Sequence, residues 1–262
     1  MAERTEADAV AELAAAGNVA FAADGSGQFA VVPEGYKIES LERFQDRPNR
    51  IAANHRFVSV ASLAAYLGRF ATPDTMIVAD YAKGHIKATL DGDAPDAPSH
   101  KLHLAWFEAV LDERMRAWLA LAGKPLRQME FAQFLEDRAV DVVQPDAATV
   151  MEMVIGFEAT KKVAFQSSVR LSNGSRQLVY KEDNEQKGAL TLPDHFILLL
   201  PIYAGMEPER VKFMVRYRIE DGNLSFRVDM HDKEIVLRQA FARCVDSLTT
   251  SLALDLPVYV VG

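Results

Sequence analysis

The segment FMVRYRIEDGNLSFRVDM, residues 213–230, alternates apolar and polar side chains on both sides of Asp221-Gly222. A period of two belongs to a strand with one buried face, and an Asp-Gly pair supplies the positive-φ positions of a two-residue type I′ turn. Such a loop fixes the register, because the numbers of facing residues must sum to a constant. Ile219 then faces Leu224, Tyr217 faces Phe226, Val215 faces Val228 and Phe213 faces Met230, an apolar face throughout. The opposite face pairs Arg218 with Ser225, Arg216 with Arg227, Met214 with Asp229 and Lys212 with His231.

Other stretches read in the same way. Thr5 and Asp8 form a capping-box pattern that opens a short helix over 6–16, stopped at Gly17. GQFAVVPEGYKIESLE, residues 27–42, predicts a strand, a turn at Pro33-Gly35 and a second strand. Leu63, Tyr66, Leu67 and Phe70 have helical spacing, ended by Thr72-Pro73. TMIVAD and HIKATL are strands joined by a Lys-Gly turn, and KLHLAWFE alternates with Leu102, Leu104 and Trp106 against His103, Ala105 and Phe107. Between these strands, DGDAPDAPS (91–99) predicts a flexible loop. A helix to about Leu121 is broken by Gly123 and Pro125, and two further helices carry stripes of Phe131, Phe134, Leu135 and Val150, Met153, Val154, Phe157. VAFQSSVRLSNGSRQLVYKED predicts a hairpin around Asn173-Gly174. Asp232 is placed to cap a helix over 233–253 whose Leu237, Phe241, Cys244, Leu248 and Leu252 share a face, and PVYVV closes the chain as a strand. No internal repeat or heptad run is visible.

FILLLPIY is apolar on both faces, so it needs cover on both, and Pro201 cannot donate to a central ladder. Two placements follow: an edge strand, with Phe196, Leu198, Leu200 and Pro201 available for self-association, or a core strand with a bulge.

The facing arginines also leave alternatives. Like charges directly opposite cost a few tenths to about 1 kcal/mol on an exposed sheet. They can be relieved by diagonal acids such as Asp229 and Glu220, by acids of a neighbouring strand such as KEDNE at 181–185 or of another subunit, or by a bound polyanion touching Lys212, Arg216, Arg218 and Arg227.

Composition narrows the picture. The 262 residues are 49% hydrophobic, enough for a packed core, and carry a net charge of −8. That balance opposes whole-surface attraction to nucleic acid or anionic membrane, although a local basic strip remains available. A single cysteine, Cys244, excludes an intrachain disulfide and a thiolate cluster, and on an apolar helix face it reads as a small buried hydrophobe. The N-terminal stretch carries acids where a targeting peptide carries basic residues, and no apolar run approaches the ~20 residues of a membrane helix. A cytoplasmic protein with no membrane role is expected.

Signatures of catalysis and cofactor binding do not appear: there is no Walker motif, GxGxxG after a strand, GxSxG, HExxH or EF-hand pattern. GSG at 25–27 precedes a strand and reads as a turn. On a strand, His100 and His103 point to opposite faces, which defeats co-ligation of a metal. Glu130, Glu136 and Asp137 read as the solvated face of a helix. No catalytic residue, metal ligand or cofactor is assigned.

QMEFAQFLEDR with VQPD, then VAFQSSVRLSNGSRQLVYKED, then VRYRIEDGNLSFRV and QAF, taken in that order, resemble the YfdQ-like proteins of phages and prophages, a family of unknown function. The resemblance runs from about Pro33 to PVYVVG and implies a phage or prophage accessory protein made in the bacterial cytoplasm. It carries over no site residues.

The expected fold is α+β: mainly antiparallel sheet with hairpins in the C-terminal half, a helical middle segment and a C-terminal helix packed on the sheet. An N-terminal α+β part, 1–119, and a helical and β-rich part, 120–262, are expected to share one core. The leading functional expectation is a non-enzymatic, self-associating protein forming a homo-oligomer. Its alternative is an accessory factor in phage DNA replication or recombination that touches nucleic-acid phosphates through the 210–230 hairpin.

Overall fold

The computed structural model describes residues 19–21, 28–30, 45–160, 164–172, 174–181, 187–221, 223–252 and 256–262. The expected helix at 6–16, most of the strands expected over 27–42, Asn173, Gly222 and the acids at 182–185 lie outside those residues. Two compact units divide the chain, Met1–Ile51 and Ala52–Gly262. Within the first, β1 (Val19–Phe21) pairs antiparallel with β2 (Gln28–Ala30).

The second unit opens with β3 (Ala53–Phe57), α1 (Val60–Phe70), β4 (Met76–Asp80), β5 (His85–Thr89) and β6 (His103–Glu108). Then come α2 (Glu113–Leu121), β7 (Leu126–Arg127), α3 (Gln128–Asp137), β8 (Val142–Gln144) and α4 (Ala147–Ala159). The C-terminal part holds β9 (Ala164–Arg170), β10 (Arg176–Lys181), β11 (Lys187–Leu192), β12 (His195–Leu200), β13 (Glu209–Glu220), β14 (Asn223–Met230), α5 (Lys233–Ser251) and β15 (Val258–Val261). The fold is α+β with mostly antiparallel sheets.

One five-stranded sheet has the order β15-β4-β5-β6-β3. Its central pairs are antiparallel, and both edge strands join in parallel, which the sequence pattern did not reveal. Ile77, Ala79, Ile86, Ala88, Ala105 and Phe107 are buried on one face, beneath Leu63 and Leu67 of α1 and Phe241, Cys244 and Leu248 of α5. The start of α1 is set by Ser59, whose hydroxyl accepts the Ser62 N–H at 3.1 Å. The 91–99 segment is bound down more closely than its composition predicts. Asp91 accepts the amides of Leu102 and His103 at 2.8 and 2.9 Å, and Asp93 accepts that of Ser99 at 2.8 Å. Glycine is required at position 92, where a Cβ would lie 2.0 Å from the Asp74 carbonyl oxygen.

The second five-stranded sheet has the order β7-β14-β13-β12-β8 and is antiparallel throughout. Its buried face, from Phe196, Leu198, Phe213, Phe226 and Val228, meets Trp118 of α2, Phe131 of α3 and Phe157 of α4 in an aromatic core. Trp118 donates its indole N–H to buried Asp141 at 2.9 Å, and Arg114 lies 3.4 Å from the same carboxylate. A third sheet, β11-β10-β9, contacts this one near the tip of the β13–β14 hairpin.

Two expectations are corrected. Of the two placements open to FILLLPIY, the edge is excluded and the core strand with a bulge is found: β12 lies between β13 and β8, with a register shift at Ile197/Leu198. Phe196, Leu198 and Leu200 are fully buried, and Pro201, also buried, follows the last ladder residue, where no donor is needed. The second face of β12 is not covered as predicted, for Ile197 is half-buried and Leu199 exposed. Asp232 begins α5 but in a left-handed conformation, φ 48°, with no side-chain cap bond; it pairs instead with His231 at 3.4 Å.

Candidate anion-binding site

The β13–β14 hairpin has the register that its alternation dictates, from Phe213 opposite Met230 to Glu220 opposite Asn223, with Arg216 directly facing Arg227. Asp221 takes φ 48°, the left-handed value that the turn requires of it. With Phe213, Val215, Phe226 and Val228 inward, the even-numbered residues of β13 and odd-numbered residues of β14 come to the open face.

Three arginines there surround one hollow of about 320 Å³, lined by Arg216, Arg218, Arg227, Ser225 and the Gly123–Pro125 turn, with Tyr217 and Phe226 at its base. Arg227 Nε lies 2.9 Å from one oxygen of Asp229, whose other oxygen accepts the Gly123 amide at 3.0 Å. Asp229 therefore ties the turn after α2 to the hairpin and orients the guanidinium. Gly123 takes φ +76°, a conformation that disfavours any side chain, and a Cβ there would lie 3.8 Å from Arg227. Arg218 pairs with Glu220 at 2.6 Å. Glu220 and Asp229 thus relieve two of the arginines, each from two positions along the same strand and not across a diagonal, while Arg216 has no acid partner among the described residues.

These pairs are loose. Arg218 and Arg227 are more than half exposed, and exposed ion pairs contribute about 0–1 kcal/mol, so a ligand phosphate can replace the carboxylates at small cost. Guanidinium is the suitable group, since its planar fork bonds two phosphate oxygens at once.

Lys212 lies on the same open face outside the hollow, its carbonyl accepting the His231 amide at 2.9 Å. Phe196, Leu198, Leu200 and Pro201 belong to the buried side and share no surface with the arginines. Residue patterns marked Gly123 and Pro125 only as helix breakers, and did not single out Arg127 or Arg210. Gly123 reaches the site across 106 positions of chain, and Arg127 joins the face by pairing with Ser225 through two-residue β7. No local pattern encodes such contacts.

Of the other groups that the sequence offered, Cys244 and His103 are buried and Glu130 is exposed. Burial pushes the Cys244 thiol up to about 11, against a weaker opposing effect of Arg243, so it is not a thiolate at neutral pH. His103 is buried with its Nε2 2.7 Å from the Tyr66 hydroxyl. Glu130 accepts the Arg127 amide at 3.0 Å and so caps α3. Among the described residues no group of three or more His, Cys, Asp or Glu side chains is arranged to hold a metal ion, and no helix is long and apolar enough to cross a membrane.

Comparison with curated proteins and with solved structures finds no match to this chain. Along its whole length, residues 1–262, it matches the family described as Uncharacterized conserved protein (DUF2303), and the chain therefore belongs to that family.

Proposed function

We propose that this protein is a non-enzymatic binder of nucleic-acid phosphate backbone, and that it uses the open face of the second sheet. The observation that carries this reading is the arginine-lined hollow within a wider excess of cations. Arg127, Arg210, Lys212, Arg216, Arg218 and Arg227 share that face with only Glu220 and Asp229 on the same strands. Along β13, Arg210 to Arg218 spans about 27 Å at the usual strand rise, long enough to follow several phosphates. No Phe, Tyr or Trp side chain projects outward from β13 or β14 beside the cations, and Tyr217 and Phe226 only floor the hollow, so the grip is on the backbone and independent of sequence. Resemblance to the YfdQ-like proteins supports placing such a binder among accessory factors of phage DNA replication or recombination. Self-association through Phe196, Leu198, Leu200 and Pro201 has no accessible surface in support, because those residues fill the core.

Fluorescence anisotropy with single- and double-stranded oligonucleotides at 50 and 200 mM salt tests the reading. Binding is expected to weaken steeply with salt, and the Arg216→Ala/Arg227→Ala variant is expected to lower the slope of log K against log salt by about 1.4–1.8. Absence of binding to either oligonucleotide at 50 mM salt would overturn it.

A further inference from the structure

The expectation of an apolar strand at a sheet edge failed for β12, yet the fold contains such a strand elsewhere. β15 is the outer strand of the first sheet, bonded on one side to β4. It consists of Val258, Tyr259, Val260 and Val261, and the last three are 53%, 59% and 46% exposed. Exposed edges are ordinarily blunted by charge, proline or extreme shortness. The opposite edge, β3, carries His55 and Arg56, both exposed, and the edges of the second sheet are two- and three-residue strands. β15 carries no charge within the strand, and side chains on both of its faces are exposed and apolar.

Its backbone decides what can pair with it. Val261 accepts the Tyr81 amide at 2.9 Å, so the N–H and C=O groups of Tyr259 and Val261 point towards β4. By the alternation of a strand, those of Val258 and Val260 point outward. The edge therefore presents two donors and two acceptors, on residues two apart, that no described residue bonds.

We infer that β15 is a self-pairing edge: two copies of the chain join their first sheets by antiparallel β15–β15 addition about a two-fold axis at Tyr259. Outward groups bond fully when Val258 of one copy faces Val260 of its partner, and the reverse, which puts Tyr259 opposite Tyr259 in a non-hydrogen-bonded pair. Pro257, which has no N–H, then falls opposite Val261 at another non-bonded position and loses nothing. An uncharged, self-complementary strand meets no like-charge repulsion from its own copy, and a two-fold closes the contact, leaving only the β3 edges with exposed His55 and Arg56 at the ends of the joined sheet. The inference is independent of the phosphate-binding reading, which rests on the other sheet.

The register provides its own test. In light scattering coupled to size exclusion at tens of micromolar, the chain is expected to run at twice its 29.0 kDa mass, and Val260→Pro at the single mass. That substitution removes only an outward N–H and leaves the β4-facing groups of Tyr259 and Val261 in place. Circular dichroism of Val260→Pro checks that it remains folded. With copper-phenanthroline and dissolved oxygen as oxidant, Tyr259→Cys is expected to form a disulfide-linked dimer, since facing Cα atoms of a non-bonded pair lie about 4.5 Å apart. Val260→Cys is expected to stay unlinked, because that residue meets its own copy only on a diagonal of about 7–8 Å. Buried Cys244 stays silent in both. A monomeric wild type, a Val260→Pro variant that remains dimeric, or equal cross-linking at 259 and 260 would overturn the inference.

Discussion

The two five-stranded sheets are built alike, each with helices on one face and an open face opposite, but their open faces carry charge differently. On the first, Arg56 and Lys87 are matched in number by Asp80 and Glu108, and Arg56 both pairs with Glu108 at 2.6 Å and lies over Trp106, 5.4 Å from its ring centroid. On the second, Arg216 opposes Arg227, and Arg210, Lys212 and Arg216 have no acid partner among the described residues. Facing cations cost a sheet a few tenths to about 1 kcal/mol, so folding alone gives no reason for them. By number the charges of the first face balance within its own strands, whereas the second carries an excess of cations.

The helical layers beneath the two sheets should respond most strongly to substitution. Trp118→Ala is expected to cost about 3–5 kcal/mol, because it opens a cavity under the second sheet and takes the indole donor from buried Asp141. Leu67→Ala under the first sheet is expected to cost about 2–5 kcal/mol. Urea midpoints measure both, and a loss below 1 kcal/mol in either would contradict the core described for that sheet.

The open faces provide the next contrast. Arg216→Ala/Arg227→Ala is expected to reduce affinity for an oligonucleotide at least tenfold at low salt, while Arg56→Ala/Lys87→Ala leaves it within twofold. Equal losses from the two double variants would dissolve the distinction between the faces.

Acid should separate the sheets as well, since the first holds a buried histidine. Burial lowers the His103 pKa, Asp91 pulls it up more weakly, and His55 lowers it a little further. The folded value lies below the unfolded one, so the unfolded chain takes the proton first. Stability from this group is therefore complete above about pH 6.5 and is lost as pH falls from there towards the folded pKa. The urea midpoint of the wild type should drop between pH 7.5 and 5.5, and that of His103→Gln should drop less. Identical pH dependence in the two proteins would remove His103 as the cause.

The smallest effect expected is that of Arg56→Ala alone, about 0–1 kcal/mol, since Arg56 is exposed, Glu108 only half-buried and salt screens the pair. A larger loss on thermal unfolding would mean that the Arg56–Trp106 contact stabilises the edge of the first sheet beyond its charge pairing.

Legibility in the sequence followed the range of the interactions. The α1 boundaries, the alternation of β6, the stripes of α3 and α4 and the whole β13–β14 register are set by neighbours a few positions apart, and they are visible in the residues. Arg216, Arg218 and Arg227 could be named as one cluster for the same reason, because a two-residue turn converts sequence distance into geometry. The Gly123 wall of the hollow, the cation of β7 and the parallel attachment of β3 and β15 depend on segments far apart in the chain, which no local period records.

By itself, then, the sequence determined which faces are apolar and which residues share them, because side-chain direction alternates with a fixed period along a strand. Tertiary structure decided which apolar strand is central and which lies at an edge. β12 and β15 are both runs of apolar residues, and only their partners distinguish them: β13 and β8 flank the first, while β4 alone holds the second. Hydrogen bonding across a sheet involves backbone groups that every residue carries, so side-chain pattern cannot rank the strands in that order.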